Sequence, residues 1–413
     1  MRQTAQLESA PERSPVVKKK RTLFLAEYLL TPDKRINNAA ILCESDRIVA
    51  LGGESSFTRE SGVEEIHIPG AYATPGFIDS HIHGAGGFDC SSVADSPNRI
   101  DAMSRMLAER GVTAFVPTVV ADQRDRMLEN LHLLSTLLDQ PVPGAIPVGI
   151  NVEGPFINPK KKGAQDASAI LPIDLGFARE LIAAGNGKIK VMTFAPELKE
   201  AEELVELLCA AGVCPSMGHS VANDRQTLRA IDAGARHCTH LFNGMPSMHQ
   251  RDLTLSNVAL TDNRVTVEII IDGRHVHPRM VDLACRCKPA NQIIGISDCT
   301  MAAGMPDGEY CIGPSRIHVV DGFSQDAQRK LAGTTTMLDS GWHSLMSSGH
   351  LTNLQAAATV TRNAALHLEL TDRGMLLPNK RADLAFYECG TNRPLMTVIS
   401  GKIVYRAGQR ESA

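Results

Sequence analysis

The middle of the chain, residues 75–372, alternates short apolar runs typical of β-strands with amphipathic stretches of helical length. Eight runs are predicted to be strands, and they end in GFIDSHIH, AFVPT, VGINVEG, KVMTFAPE, CPSMGHS, RHCTHLF, TVEIIIDG and IIGISD. Between them, segments such as EELVELLCAAG repeat apolar residues at intervals of three and four, which predicts helices. This alternation favours the α/β class and a (β/α)8 TIM barrel. An open, doubly wound sheet would show the same periodicity.

The two ends of the chain differ from this middle. Residues 22–74 and 373–413 contain short apolar runs separated by polar turns, such as RIVALGG and GKIVYRAG, a pattern typical of small antiparallel strands. We therefore predict a small β-sandwich domain formed by both termini, beside a catalytic barrel at residues 75–372. Residues 1–21 are polar, contain two prolines and end in KKKR, which predicts a disordered tail.

The composition narrows the classes of function. With 43% hydrophobic and 21% charged residues, the chain has the composition of a soluble globular protein, and its net charge of −4 gives no basic surface for nucleic acid. No apolar run is long enough to span a membrane, and the N-terminus lacks an apolar secretion signal. Ten cysteines without paired spacing indicate a reducing compartment. We expect a cytoplasmic protein that acts on a small molecule.

Residues that commonly bind metals stand at the ends of the predicted strands. His81 and His83 form an HxH motif after the first strand, and residues i and i+2 of a strand share one face. The corresponding residues on later strands are Glu153, His219, His240, His275 and Asp298. A barrel brings the carboxyl ends of all its strands to one mouth, so the sequence predicts a metal site there. Taken alone, any one of these histidines is more often a structural residue.

Seven sequence blocks follow one another along the chain: PGFIDSHIHGAGGFD, VEGPFINPKKKGA, MGHS, THLFNGMP, DGRHVHP, ISDCTMAAGMPDGEY and LAGTT. In their order and separations, these blocks resemble those of the N-acetylglucosamine-6-phosphate deacetylases of the amidohydrolase superfamily. The resemblance covers nearly the whole chain from about residue 22 onward. It implies a hydrolase of amino sugar metabolism, which converts N-acetyl-D-glucosamine 6-phosphate to D-glucosamine 6-phosphate and acetate.

The resemblance also implies roles for individual residues. Glu153, His219 and His240 would hold the main metal ion, and His81 and His83 would complete a second site, so one or two ions per subunit fit the sequence. Asp298 would be the catalytic acid and base. The implied substrate contacts are Ala164, Gln165, Asn243, Gly244, Arg251, His275, Leu331, Ala332 and Gly333. The implied assembly is a homodimer in which Arg251 reaches the phosphate bound in the neighbouring subunit.

These residue types suit the hydrolysis of an amide. A divalent metal lowers the pKa of a bound water to about 7 and polarises the carbonyl group. Asp298 would take a proton from the water and then deliver it to the departing amine. Histidine and carboxylate ligands accept zinc, iron, cobalt or manganese, and of these we expect zinc.

Some positions depart from the pattern of the family. Gln165 stands where histidine is usual, Gly244 replaces the usual alanine, and Cys299 follows Asp298 where small apolar residues are typical. The metal and acid/base residues are intact, so these changes leave the identity of the sugar open, and N-acetylgalactosamine 6-phosphate is an alternative substrate. An amidohydrolase acting on a cyclic amide or an N-acyl amino acid is a further alternative. A non-enzymatic assembly protein on this fold would be expected to lose the metal ligands.

The basic residues that could bind a phosphate each have two interpretations. Arg251 offers a guanidinium group that suits a phosphate, but it could equally be an ordinary solvent-exposed arginine. The lysines at residues 160–162 resemble a phosphate clamp or a solvated loop. Gly163, next to them, would let the backbone approach a ligand closely.

Overall fold

The computed structural model describes residues 20–95, 99–347 and 351–408. Residues 1–19 of the predicted tail lie outside the described residues, and Arg21 already belongs to the first strand. The strands are β1 (Arg21–Leu30), β2 (Arg35–Glu44), β3 (Arg47–Gly53), β4 (Val63–Pro75), β5 (Phe77–Ile82), β6 (Gly84–Ala85), β7 (Phe88–Asp89), β8 (Val112–Val120), β9 (Ile146–Pro147), β10 (Ile150–Glu153), β11 (Ile189–Phe194), β12 (Cys214–Met217), β13 (His237–Cys238), β14 (Thr266–Ile270), β15 (Ile293–Ile296), β16 (Gly308–Ile312), β17 (Ser315–Val320), β18 (Phe323–Gln325), β19 (Leu384–Glu388), β20 (Pro394–Ile399) and β21 (Lys402–Arg406). The α-helices are α1 (Ile100–Ala108), α2 (Arg124–Leu137), α3 (Leu175–Ala184), α4 (Ala201–Ala210), α5 (Asp224–Ala233), α6 (Leu255–Thr261), α7 (Pro278–Cys287), α8 (Leu338–Ser347), α9 (Asn353–Thr359) and α10 (Arg362–His367).

In the described part of the chain, eight parallel strands form the barrel, in the order β5, β8, β10, β11, β12, β13, β14 and β15. Each of them corresponds to one of the predicted strands. Neighbours pair in register, as where Val152 lies between Val119 and Met192. The first and last strands meet at the mouth, where the amide of Asp298 donates to the carbonyl of His81 at 3.0 Å. The prediction of a barrel, rather than an open sheet, is confirmed.

Helix α4 shows how the helices cover the barrel. Its residues Leu204, Val205 and Leu208 are fully buried, whereas the glutamates of its first turn are exposed to solvent. The apolar stripe at this spacing is what the sequence pattern predicted, and burying it against the strands stabilises both elements. Within the described residues, every helix is too short or too polar to cross a membrane.

Strands from both termini form the small β domain. In the described residues its hydrogen-bonded order is β21, β20, β19, β4, β1, β2 and β3, so β19 from the C-terminal segment pairs with β4 from the N-terminal segment. Phe24 and Phe386 pack in a shared core with their ring centroids 5.7 Å apart. Strand β4 ends at Pro75 and β5 begins at Phe77, so the small domain leads directly into the barrel. The prediction of a small β domain built from both termini is confirmed.

A small antiparallel sheet of β16, β17 and β18 follows the last barrel strand. This sheet was not predicted from the sequence, because its strands are only three to six residues long and β16 and β18 lack a clear apolar alternation. The amide of Gly313, in the turn between β16 and β17, donates to Asp89 Oδ2 at 2.8 Å. Ile312 lines the barrel mouth. The sheet therefore forms one wall of the mouth.

Candidate metal and catalytic site

Six of the described polar side chains converge at the barrel mouth. All are buried, and none is more than 6% exposed. They form two groups, each with its ligand atoms within 4.8 Å of one another: Glu153, His219 and His240 in the first group, and His81, His83 and Asp298 in the second. The structure thus brings together the five metal ligands and the acid/base that the resemblance implied, whereas His275 belongs to neither group.

Glu153 links the residues of the first group. Its Oε1 lies 2.8 Å from His219 Nε2 and 2.9 Å from His240 Nε2, and the two Nε2 atoms are 3.0 Å apart. Burial alone would raise the pKa of Glu153, but the charge on His219 and the hydrogen bonds from both histidines hold this pKa well below its usual range. An ionised carboxylate and two imidazole nitrogens that face one point form a donor set suited to a divalent cation.

The second group lies on the other side of Glu153. His83 Nε2 is 3.2 Å from Asp298 Oδ1 and 3.3 Å from Glu153 Oε2. His81 Nε2 is 3.4 Å from Asp298 Oδ1; it is buried and has no hydrogen-bond partner among the described residues. A buried, unpartnered nitrogen of this kind suits a metal ion. Since Glu153 presents one oxygen to each group, its carboxylate would help to hold a cation in either group.

Hydrogen bonds behind the site orient three of its histidines. His219 Nδ1 lies 2.6 Å from the carbonyl oxygen of Lys161, and His83 Nδ1 lies 3.3 Å from that of Thr118. His81 Nδ1 instead lies 3.1 Å from a carboxylate oxygen of Glu268. When Nδ1–H donates to each acceptor, the lone pair of Nε2 points into the site.

The backbone of the site residues is strained. His219, His240 and Asp298 have φ angles of 46°, 26° and 53°, in a region that side-chain-bearing residues rarely adopt and that costs about 1–3 kcal/mol each. Each residue stands two positions after the end of its strand. Backbone hydrogen bonds hold two of the turns, from Asn158 N to His219 O at 2.9 Å and from Thr334 N to Asp298 O at 2.8 Å. The turns that carry these three side chains are therefore strained, although positive φ angles also occur at described residues outside the site, such as Glu200 and Arg329.

A cavity of about 380 Å³ opens onto both groups, which is a volume suited to a small ligand. Eight of the nine predicted substrate contacts line it: Ala164, Gln165, Asn243, Gly244, His275, Leu331, Ala332 and Gly333. Arg251 is exposed and does not belong to the lining that the described residues of one chain form. Lys330 does line the cavity, although the sequence analysis missed it. Its position directly before the LAGTT block was the available signal.

Two glycines make room for the His219 ring. A Cβ atom on Gly244 would lie 3.0 Å from His219 Nδ1, and one on Gly163 would lie 3.1 Å from His219 Cε1. Both glycines also have positive φ angles, of 61° and 60°. Gly163 lines the cavity, as expected, but its close contact is with the site histidine. Glycine in place of the usual alanine at position 244 therefore bears directly on how His219 packs.

The basic side chains near the cavity have different surroundings. His275 Nδ1 lies 2.8 Å from Asp272 Oδ2, a contact that orients the imidazole of this cavity-lining residue. In the loop at residues 160–162, Lys161 Nζ donates to the carbonyl of Met245 at 2.8 Å and Lys162 Nζ donates to that of Gln165 at 2.7 Å. These two lysines therefore tie the loop to its surroundings, and the described lining of the cavity does not include them.

Comparisons with known proteins show the family to which the chain belongs. Residues 72–404 match the Amidohydrolase family. Among curated relatives, the N-acetylgalactosamine-6-phosphate deacetylase of Escherichia coli O157:H7 is 32% identical, over 76% of this chain and 83% of its own length. The N-acetylglucosamine-6-phosphate deacetylase of Bacillus subtilis (strain 168) is 30% identical, over 91% and 95%. A solved structure of a mutant N-acetyl-D-glucosamine-6-phosphate deacetylase from Mycobacterium smegmatis, bound to N-acetyl-D-glucosamine-6-phosphate, has a TM-score of 0.86 and 28% identity and covers 93% of this chain and 99% of that one.

Proposed function

This chain belongs to the metal-dependent amidohydrolase family, among the deacetylases of N-acetylhexosamine 6-phosphates, and on that premise we propose that it converts N-acetyl-D-glucosamine 6-phosphate to D-glucosamine 6-phosphate and acetate. The observation that carries the proposal is the site itself. Glu153 and two histidines stand beside Asp298 in a cavity that Lys330 also lines. A site for a divalent cation and a lysine in one cavity suit a substrate that carries both an amide and a phosphate.

Each buried residue has a role in this reaction. Glu153, His219 and His240 would hold a divalent cation, which we propose to be zinc, and His81 and His83 would hold a second one. When bound, such a cation lowers the pKa of a water and polarises the acetyl carbonyl. Asp298 accepts the proton of that water and then donates it to the departing amine nitrogen. Despite its burial, hydrogen bonding from His83 and the charge on His81 keep the pKa of Asp298 below its usual value, so the carboxylate is ionised and ready to act as a base.

The walls of the cavity would bind the sugar. Gln165 Oε1 accepts a hydrogen bond from the amide of Ala121 at 3.0 Å, which orients its side chain. Its Nε2 has no partner among the described residues, so it is available to donate to a substrate oxygen. Asn243 offers both a donor and an acceptor at the same cavity.

All ten cysteines are free thiols, which supports a reducing compartment such as the cytoplasm.

The function is tested by measuring acetate release from four sugars: N-acetylglucosamine and N-acetylgalactosamine, each with and without a 6-phosphate. We expect kcat/KM for N-acetylglucosamine 6-phosphate to exceed that of the unphosphorylated sugar about 100-fold, because charge-assisted hydrogen bonds to the phosphate are lost in the latter. Equal turnover with and without phosphate would contradict the proposal. Faster turnover of N-acetylgalactosamine 6-phosphate would assign the other epimer, which the 32% identity to the Escherichia coli relative makes the second candidate.

We also propose a homodimer in which Arg251 reaches the phosphate bound by the other subunit. The exposed position of Arg251, outside the cavity lining formed by the described residues of its own chain, supports this. The substitution Arg251→Ala is expected to raise KM about 10- to 100-fold with little change in kcat, because the contact is equally strong in ground state and transition state. Steady-state kinetics tests the contact between Arg251 and the phosphate, and the molecular mass in solution tests the homodimer.

The unphosphorylated sugar is the control for this variant. Its kcat/KM should be the same in Arg251→Ala and in the wild type, since no phosphate is present to be bound. Arg251→Lys keeps the charge but loses the planar fork, so an intermediate KM is expected. An unchanged KM for the phosphorylated substrate would remove Arg251 from the site.

A further inference from the structure

A second buried glutamate lies behind the metal-site histidines. Glu268, in β14, is 1% exposed and belongs neither to the cavity lining nor to the residues predicted from the sequence. Its Oε2 is 3.1 Å from His81 Nδ1, and its Oε1 is 3.2 Å from His237 Nε2. The carboxylate is thus held between a candidate metal ligand and an imidazole deeper in the barrel.

The contact with His81 differs in kind from those of the other site histidines. Backbone carbonyls face the Nδ1 atoms of His83 and His219, whereas a carboxylate faces that of His81. A carboxylate acceptor makes a charge-assisted hydrogen bond, which fixes the ring orientation more firmly and makes Nε2 a stronger donor to a metal. This Nε2 is one of several buried nitrogens that have no hydrogen-bond partner among the described residues.

Glu268 also connects the two groups of the site. Its Oε2 lies 3.4 Å from the amide nitrogen of His240, at the start of the strained turn. Its backbone carbonyl accepts a hydrogen bond from the amide of Leu241 at 2.8 Å. The main effect of the side chain is nevertheless on His81, because the His240 ring turns its Nε2 toward Glu153 and donates no hydrogen bond to Glu268.

The deeper cluster does not have the geometry of a metal site of its own. Glu268, His237 and His367 have ligand atoms within 4.8 Å of one another. However, the rings of His237 and His367 are stacked, with centroids 3.7 Å apart and planes 22° apart. An imidazole binds a metal in the plane of its ring, so two nearly parallel stacked rings cannot both hold one ion. The cluster instead surrounds Glu268 and restricts where its carboxylate can lie.

We propose that Glu268 is a positioning residue that controls occupancy of the second metal group, formed by His81, His83 and Asp298. Glu268 does not line the substrate cavity, and it contacts His81 at Nδ1 rather than at Nε2. It would therefore act on a metal ion only through the orientation of His81. The proposal rests on the proposed function for its relevance to catalysis. The test measures the Kd of metal ions without any substrate. Its result would therefore stand even if the enzyme acted on a different substrate.

The test uses the full-length protein after removal of metal with a chelator. The two dissociation constants for Co²⁺ are measured by competition with an indicator, together with the absorption spectrum of each bound ion. In Glu268→Gln we expect the Kd of the more weakly bound second ion to rise about 10- to 100-fold, while the Kd of the first ion stays within about twofold. The glutamine keeps the size of the side chain but lacks its charge.

Asp339→Asn is the matched control. Asp339 is another buried carboxylate, paired with Arg110 at 3.5 Å and without contact to the site histidines, so both Kd values should match the wild type. If Glu268→Gln fails to fold, Glu268→Asp replaces it, and a smaller rise confined to the second ion is expected. A wild-type protein that binds one ion only, an unchanged Kd, or equal weakening of both ions would overturn the proposal.

Discussion

Replacing Asp298 with asparagine is expected to lower kcat about 1,000-fold while the first metal group, formed by Glu153, His219 and His240, stays occupied. Asparagine has the same shape but can neither accept the proton of the attacking water nor return it to the leaving amine. The substitution also suits the backbone, because Asp298 has a φ angle of 53°, and asparagine tolerates this region better than other side chains. The effect should therefore be chemical rather than structural.

Steady-state kinetics and elemental analysis of the same preparation check this expectation. Asp122→Asn is the control, since Asp122 follows strand β8, is buried, and binds the amide of Gln123 at 2.7 Å rather than a site histidine. It should keep near wild-type activity. Activity retained in the Asp298 variant would place the base elsewhere, and lost metal would mean that Asp298 acts chiefly as a ligand.

The sequence was informative about this site because the barrel converts strand ends into neighbours. His81, Glu153 and Asp298 are far apart along the chain, yet each follows an apolar run, and the parallel order brings these positions to one mouth. The periodicity of the chain and the order of its strands are therefore enough to group these residues without any measured distance.

Other features of the site depend on backbone angles and distances that cannot be read from the periodicity of the sequence. The positive φ angles of His219 and His240 leave no pattern in the residue types, since glycine or asparagine would have been the expected signal. Lys330 lines the cavity from the turn that follows β18, and the short strands of that sheet were not predicted. Glu268 did leave a signal: a glutamate inside the run TVEIIIDG, read as a fully buried strand, must have a partner.

Substituting Glu153 with glutamine is expected to raise the Kd of each metal ion by more than about 100-fold. Residues that only hydrogen-bond to a metal ligand already cost up to about 100-fold in affinity, and Glu153 would be a ligand itself. Oε1 of Glu153 faces His219 and His240, and Oε2 faces His83, so one carboxylate serves both groups. An amide supplies one oxygen and no charge. Activity should fall in proportion to occupancy and recover partly at high metal concentration.

The Glu153 and Glu268 variants separate ligation from positioning. The same titration should show both ions weakened in Glu153→Gln and the second ion alone weakened in Glu268→Gln. Glu153 faces Nε2 atoms of both groups, whereas Glu268 faces a side-chain nitrogen of His81 alone among the site histidines. Metal that binds the folded chain raises its melting temperature by mass action, so added Zn²⁺ should stabilise the wild type much more than Glu153→Gln. If Glu153→Gln kept its full complement of metal, the carboxylate would not be a bridge, and the two groups would have to bind their ions independently.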